Sequence, residues 1–145
     1  MRSTKTSLWL GYLGLIPFVA AVFGFIFTQD YPQALSQHGF LIYSLAILCF
    51  LAGSAWGEAL GGTDVDLTPR LLVSNGIVLF AVTAMLTANP FWALILLAFG
   101  YFAYWGYERR VIVMAGEYRV MRARLTMIVV ALHVCFAALV AMQSS

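Results

Sequence analysis

Five apolar stretches, at 8–27, 39–60, 71–87, 91–107 and 125–142, constrain this chain more than any other feature of it. A helix needs about 20 mostly apolar residues to cross a bilayer core, and each stretch reaches or approaches that length. The third and fourth are short and separated only by Ala88, Asn89 and Pro90, which predicts a tight helical hairpin. Lipid cannot satisfy an open backbone amide, and no stretch alternates as a barrel strand would, so helices remain. Composition points the same way. Hydrophobic residues make up 63% of the chain and charged residues 10%, against about 45–50% and about 25% in a soluble domain. A globule of 145 residues could not cover its surface with eight basic and six acidic side chains. The predicted fold is an all-α integral membrane protein, a single domain of five transmembrane helices over residues 1–145.

Helix ends are punctuated. Thr68-Pro69 and Asn89-Pro90 each set a capping side chain before a proline at the first helical position, and Gly61-Gly62 closes the second span. Pro17 lies inside the first span and frees the carbonyl of Leu13, which predicts a kink there.

Orientation follows from Lys and Arg. Arg2 and Lys5 precede the first span, Arg70 lies between the second and third, and Arg109, Arg110, Arg119, Arg122 and Arg124 lie between the fourth and fifth. These are all eight basic residues, and they share one side; the 28–38 segment, the 88–90 turn and the tail have none. The N-terminus is therefore expected in the cytoplasm and the C-terminus outside. The first span is too long for a signal-peptide core and ends in the poor cleavage context Phe25-Ile26-Phe27, so it is expected to be retained. A net charge of +2 tied to the membrane edge leaves no basic face for nucleic acid.

Small residues four apart allow helices in lipid to approach closely. Gly53, Gly57 and Gly61 form such a stripe on the second span, which predicts that this span lies centrally. Ala137 and Ala141, with His133 one turn earlier, offer a matching face on the fifth span, and Gly11 and Gly14 precede Pro17 on the first. His133 falls near mid-bilayer, where donation to a carbonyl or serine of a neighbouring helix is the expected role. Cys49 and Cys135 sit mid-span as small apolar fillers.

Polar groups inside a membrane are costly and mark candidate sites. Glu58 is the one acid within a predicted span, and it shares a stripe with Ser44 and Ser54. Asn75 comes from the same side, as do Tyr101, Tyr104, Trp105 and Glu108 on one stripe of the fourth span, with Trp56, Trp9, Tyr12 and Thr126 at similar depth. Two readings fit. One is an interfacial aromatic belt with Glu58 paired to Arg70 or to an arginine of the long inner loop. The other is a pocket for a lipid or quinone head group built from Trp56, Glu58, Asn75, Tyr101, Tyr104 and Trp105. The inner loop 108–124 carries Met114, Tyr118, Met121 and Leu125 at helical spacing, which suits an in-plane amphipathic helix. Tyr118, Arg119, Arg122 and Arg124 would there contact anionic head groups or a partner.

Three pieces of the chain, Leu13-Gly14-Leu15-Ile16-Pro17-Phe18, Phe50-Leu51-Ala52-Gly53-Ser54-Ala55-Trp56-Gly57 and Tyr118-Arg119-Val120-Met121-Arg122-Ala123-Arg124-Leu125-Thr126, resemble a five-span membrane family of unknown function found in proteobacteria. By the same resemblance, the family includes animal transmembrane protein 69. The resemblance runs over nearly the whole chain and implies the five-span fold and a multi-pass setting in the bacterial inner (cytoplasmic) membrane. It also implies that Pro17, Trp56, Gly57, Tyr118, Arg119 and Arg122 carry the shared role, and it brings no activity with it.

No metal-ligand spacing and no Ser/His/acid arrangement occurs, so neither catalysis nor a metal or other cofactor is expected. The leading expectation is a non-catalytic accessory or scaffolding subunit that packs against larger membrane complexes, with respiratory assemblies as candidate partners. An inner-leaflet lipid or quinone head-group binder is the alternative. A small proton-coupled transporter or channel, acting as a homo-oligomer, is the third reading; the odd span count and the lack of an inverted repeat stand against it. Membrane lipids are expected partners in every case.

Overall fold

A computed structural model describes residues 2–62, 67–114 and 116–145. It is helical throughout: α1 (Arg2–Leu13), α2 (Ile16–Phe27), α3 (Asp30–Gly61), α4 (Thr68–Met85), α5 (Pro90–Val111) and α6 (Gly116–Gln143). Counting α1 and α2 as one span, Lys5–Phe27, five helices are long and apolar enough to cross a membrane. The chain is a multi-pass membrane protein, and the described residues contain no strand.

The first span breaks one turn earlier than Pro17. Leu13 ends α1, the Leu15 amide turns back to the Tyr12 carbonyl at 3.0 Å, and Pro17 falls in the first turn of α2. A proline there gives up no helical hydrogen bond. The Gly14 carbonyl is met from α3, where the Tyr43 hydroxyl donates to it at 2.9 Å.

α3 corrects the sequence-based boundary. Its 32 residues begin at Asp30, not at 39, and at 1.5 Å per residue they reach about 48 Å, well beyond an apolar core of about 30 Å. The 30–38 segment is thus a helical extension held against the end of α2, where Gln33 Nε2 donates to the Phe25 carbonyl at 2.9 Å. The inner loop is also corrected. α5 runs on to Val111 and α6 begins at Gly116, so 116–124 is the first part of the last membrane helix and not a separate in-plane helix. The hairpin turn is as anticipated, with Asn89 Oδ1 accepting from the Phe91 amide at 3.0 Å. Thr68 differs: it is the first residue of α4, and no side chain caps that end.

The core is aromatic and aliphatic. Phe18, Phe40 and Phe136 are fully buried, with Phe40 stacked on Phe136 at 4.7 Å and edge-on to Phe18 at 5.1 Å. α3 packs on α2, α4 and α5, while α6 packs on α5, α1 and α2. The face α3 uses carries Phe40, Leu41, Ser44, Leu48, Ala52 and Ala59. The Gly53, Gly57 and Gly61 stripe points away from it, and a Cβ added at any of the three would meet nothing within 4 Å. Within this chain the expected close packing along that stripe is absent, because the alanines at 52 and 59 already provide the short side chains on the buried face. Close approach is found instead at Gly24, against Ser36, and at Gly100, where a Cβ would lie 3.1 Å from Leu48 and 3.2 Å from Phe80. On α6, Ala137 is buried and Ala141 is exposed, so only the first of that pair packs.

Candidate functional site

The polar side chains of the bundle are ordered by depth along α5 and α6. Deepest is His133, fully buried. Its Nδ1 lies 2.7 Å from the Val129 carbonyl, which can only accept, so Nδ1 carries the proton and Nε2 accepts from the Ser44 hydroxyl at 2.6 Å. The Ser44 carbonyl in turn accepts from Tyr101 at 2.7 Å. One turn on, Tyr104 donates to the Leu51 carbonyl at 2.9 Å, and Ser74 of α4 donates to the Ala52 carbonyl at 2.5 Å. These bonds tie α3 to α4, α5 and α6 through hydroxyls that would otherwise sit unsatisfied in an apolar interior.

One further turn toward the basic end lies an ion pair. Arg122 Nε approaches both carboxylate oxygens of Glu108, at 3.3 and 3.1 Å, and Nη2 lies 2.6 Å from Oε2. Both side chains are 8% exposed. Two parallel contacts fix the orientation of both groups, which suits a guanidinium held at a low-dielectric boundary. Arg122 therefore does not lie on an outer head-group surface, as its place in the inner loop suggested. Arg119 and Arg124 do remain exposed.

Two open spaces flank this pair. A cavity of about 320 Å³ runs between α1, α2, α3 and α6, walled by Gly11, Leu15, Phe18, Ile47, Leu125 and Val129 among others, with Tyr118, Arg122 and Thr126 as a polar line on α6. Beside it, a more open recess of about 590 Å³ is lined by Ser7, Ser54, Glu58, Tyr104, Glu108 and Tyr118, together with apolar residues of the α5–α6 turn. Ser7 and Tyr118 line both spaces, so the two adjoin. The arrangement sets an apolar slot beside a more polar chamber. Its size falls in the range of small-ligand sites, about 300–1,000 Å³.

Of the sequence-based candidates, Tyr101 lines the cavity and Tyr104 and Glu58 line the recess. Three others lie elsewhere. Asn75 is exposed and donates to its own helix at Leu71. Trp56 is 37% exposed on the outward side of α3, and Trp105 packs under the Arg109 guanidinium at 5.0 Å. Glu58 makes no ion pair with a described residue, and Arg70 reaches the Val111 carbonyl at 3.3 Å. The Glu108–Arg122 pair was missed from sequence, although Glu108 shares a stripe with Tyr101 and Tyr104, and Arg122 sits four residues from both Tyr118 and Thr126. The described residues hold no group of three or more His, Cys, Asp or Glu able to bind a metal.

The model of one family, described as a protein of unknown function (DUF3429), matches residues 3–138. The chain belongs to this family. Every residue lining the cavity, from Ser7 to Val129, falls inside the matched region, as do the ion pair and His133. No curated protein and no solved structure matches the chain.

Proposed function

We propose that this protein binds, without catalysis, an amphiphile with an apolar tail and a hydrogen-bonding head, a lipid or a quinone, at the cytoplasmic side of an inner membrane. The observation that carries this reading is the apolar cavity that adjoins the more polar recess, with Arg122 of the ion pair lining the one and Glu108 the other. A tail in the cavity would replace lipid contacts that its wall residues otherwise lack, and the head would meet hydroxyls and charges held in place by the bundle. The cytoplasmic assignment rests on the eight basic residues that share one end of the helices. A lipid carrying a diazirine on its acyl chain, incorporated into membranes with the protein, tests this directly. Crosslinks concentrated on α6 between Tyr118 and Val129 are expected. Labelling confined to outward residues such as Leu79 and Phe99 would overturn the reading.

A second reading, an accessory subunit of a larger membrane assembly, is favoured by the open Gly53–Gly57–Gly61 face of α3. Another helix could approach that face closely, and the two roles are compatible. Crosslinking in native membranes from cysteines placed at Gly53 and Gly57 should then recover one reproducible partner subunit, and a smear of unrelated proteins would count against it.

A further inference from the structure

The amphiphile reading above leaves the head group open, and the hydrogen-bonding groups of the site narrow it. Tyr118, Arg122 and Thr126 lie four residues apart on α6 and line the apolar cavity turn after turn. Thr126 is 3% exposed, and its hydroxyl makes no hydrogen bond among the described residues. No enclosed side-chain nitrogen or oxygen among those residues lacks a partner, so this hydroxyl opens onto the cavity. The same holds for Arg122, whose Nε and Nη2 are taken by Glu108 while Nη1 is left facing open space. A guanidinium nitrogen can only donate. A ligand at this depth must therefore bring acceptor oxygens, which phosphates, esters and quinone carbonyls all do.

The adjoining recess separates these. Among the described residues, the charged ones lining the two spaces are Arg122, Glu108 and Glu58. Arg122 and Glu108 neutralise one another, which leaves Glu58, beside Tyr104 and Tyr118, as the lining acid without an ion pair among the described residues. Such a chamber disfavours an anionic head group, offers a quinone no complementary charge, and suits an ammonium. Resting on the amphiphile reading, we infer that the ligand is a zwitterionic, amine-bearing phospholipid. One acyl chain fills the cavity, phosphate and ester oxygens accept from Arg122 and Thr126, and the ammonium meets Glu58.

Native mass spectrometry of the full chain in detergent, titrated with dioleoyl phosphatidylethanolamine, dioleoyl phosphatidylglycerol and a short-tailed ubiquinone, tests this. Phosphatidylethanolamine should bind at least about threefold more tightly than the other two, the scale of one solvent-accessible ion pair. Glu58→Gln should remove that preference while retaining binding, because Glu58 is exposed and makes no hydrogen bond or ion pair among the described residues; an unchanged elution profile checks its fold. Thr126→Val should weaken both phospholipids alike. Equal or preferred binding of phosphatidylglycerol or ubiquinone, or an unchanged preference in Glu58→Gln, overturns the head-group assignment and leaves amphiphile binding standing. Retention of none of the three overturns the amphiphile reading itself.

Discussion

A charged residue inside a helical bundle is tolerable only when its partner is fixed as firmly as itself, and Arg122 with Glu108 meets that condition through three contacts of 2.6 to 3.3 Å. Removing one member strands the other in an apolar setting. Arg122→Met or Glu108→Leu alone should lower stability by about 3–5 kcal/mol, whereas the double replacement should recover most of that loss. Thermal unfolding of the three variants in detergent reads this, and an unharmed Arg122→Met would show that the pair contributes nothing. The Ser44–His133 bond is a smaller matter. Ser44→Ala leaves Nε2 of a fully buried imidazole without a partner and should cost about 1–2 kcal/mol, near the upper end for such bonds between membrane helices. Tyr101 should be unaffected by that change, because it uses the Ser44 carbonyl and not the hydroxyl. His133 was legible in sequence for this reason: a polar side chain deep in a span must find a partner on another helix. Arg122 was not, since a string of five arginines near a membrane edge reads as solvated until α5 and α6 are seen to extend past the apolar stretches.

Helices in lipid present apolar residues to the membrane and to each other alike, so hydropathy fixes where a span lies and leaves its buried face undetermined. This is why five spans were legible and why the glycine stripe of α3 was expected to pack closely on a neighbouring helix, where no such contact is found within this chain. Gly57→Leu should therefore leave the melting temperature of the isolated protein within about 2 °C of the parent, as surface changes do. Gly100→Ala should instead destabilise by about 1–3 kcal/mol, because its Cβ would crowd both Leu48 and Phe80. The reverse order of these two effects would mean that α3 packs by its glycines after all. The break between α1 and α2 shows a related gap. Pro17 announces a disturbance, but not that the Gly14 carbonyl within the disturbed stretch is met by the Tyr43 hydroxyl, 29 residues away in sequence.

Taken as a whole, the bundle is unevenly filled. Toward the end that carries no basic residue, Phe18, Phe25, Phe40 and Phe136 interlock around His133. Toward the basic end, Gly11 lets α1 approach α6 closely, where a Cβ would lie 3.0 Å from Leu125 and 3.1 Å from Met121, and the cavity opens beside that contact. No single stretch of sequence signals a cavity, because it is a property of what four helices fail to fill together. The individual polar groups at its edge were visible; the space between them was not. Native mass spectrometry of the protein extracted in mild detergent, compared with Ile47→Phe, which fills the cavity wall, tests ligand binding most directly. A lipid-sized adduct retained by the parent and lost from Ile47→Phe is the expected result. A parent protein that flies free of any adduct, or an adduct indifferent to the filled cavity, would contradict the assignment of this cavity as a binding site.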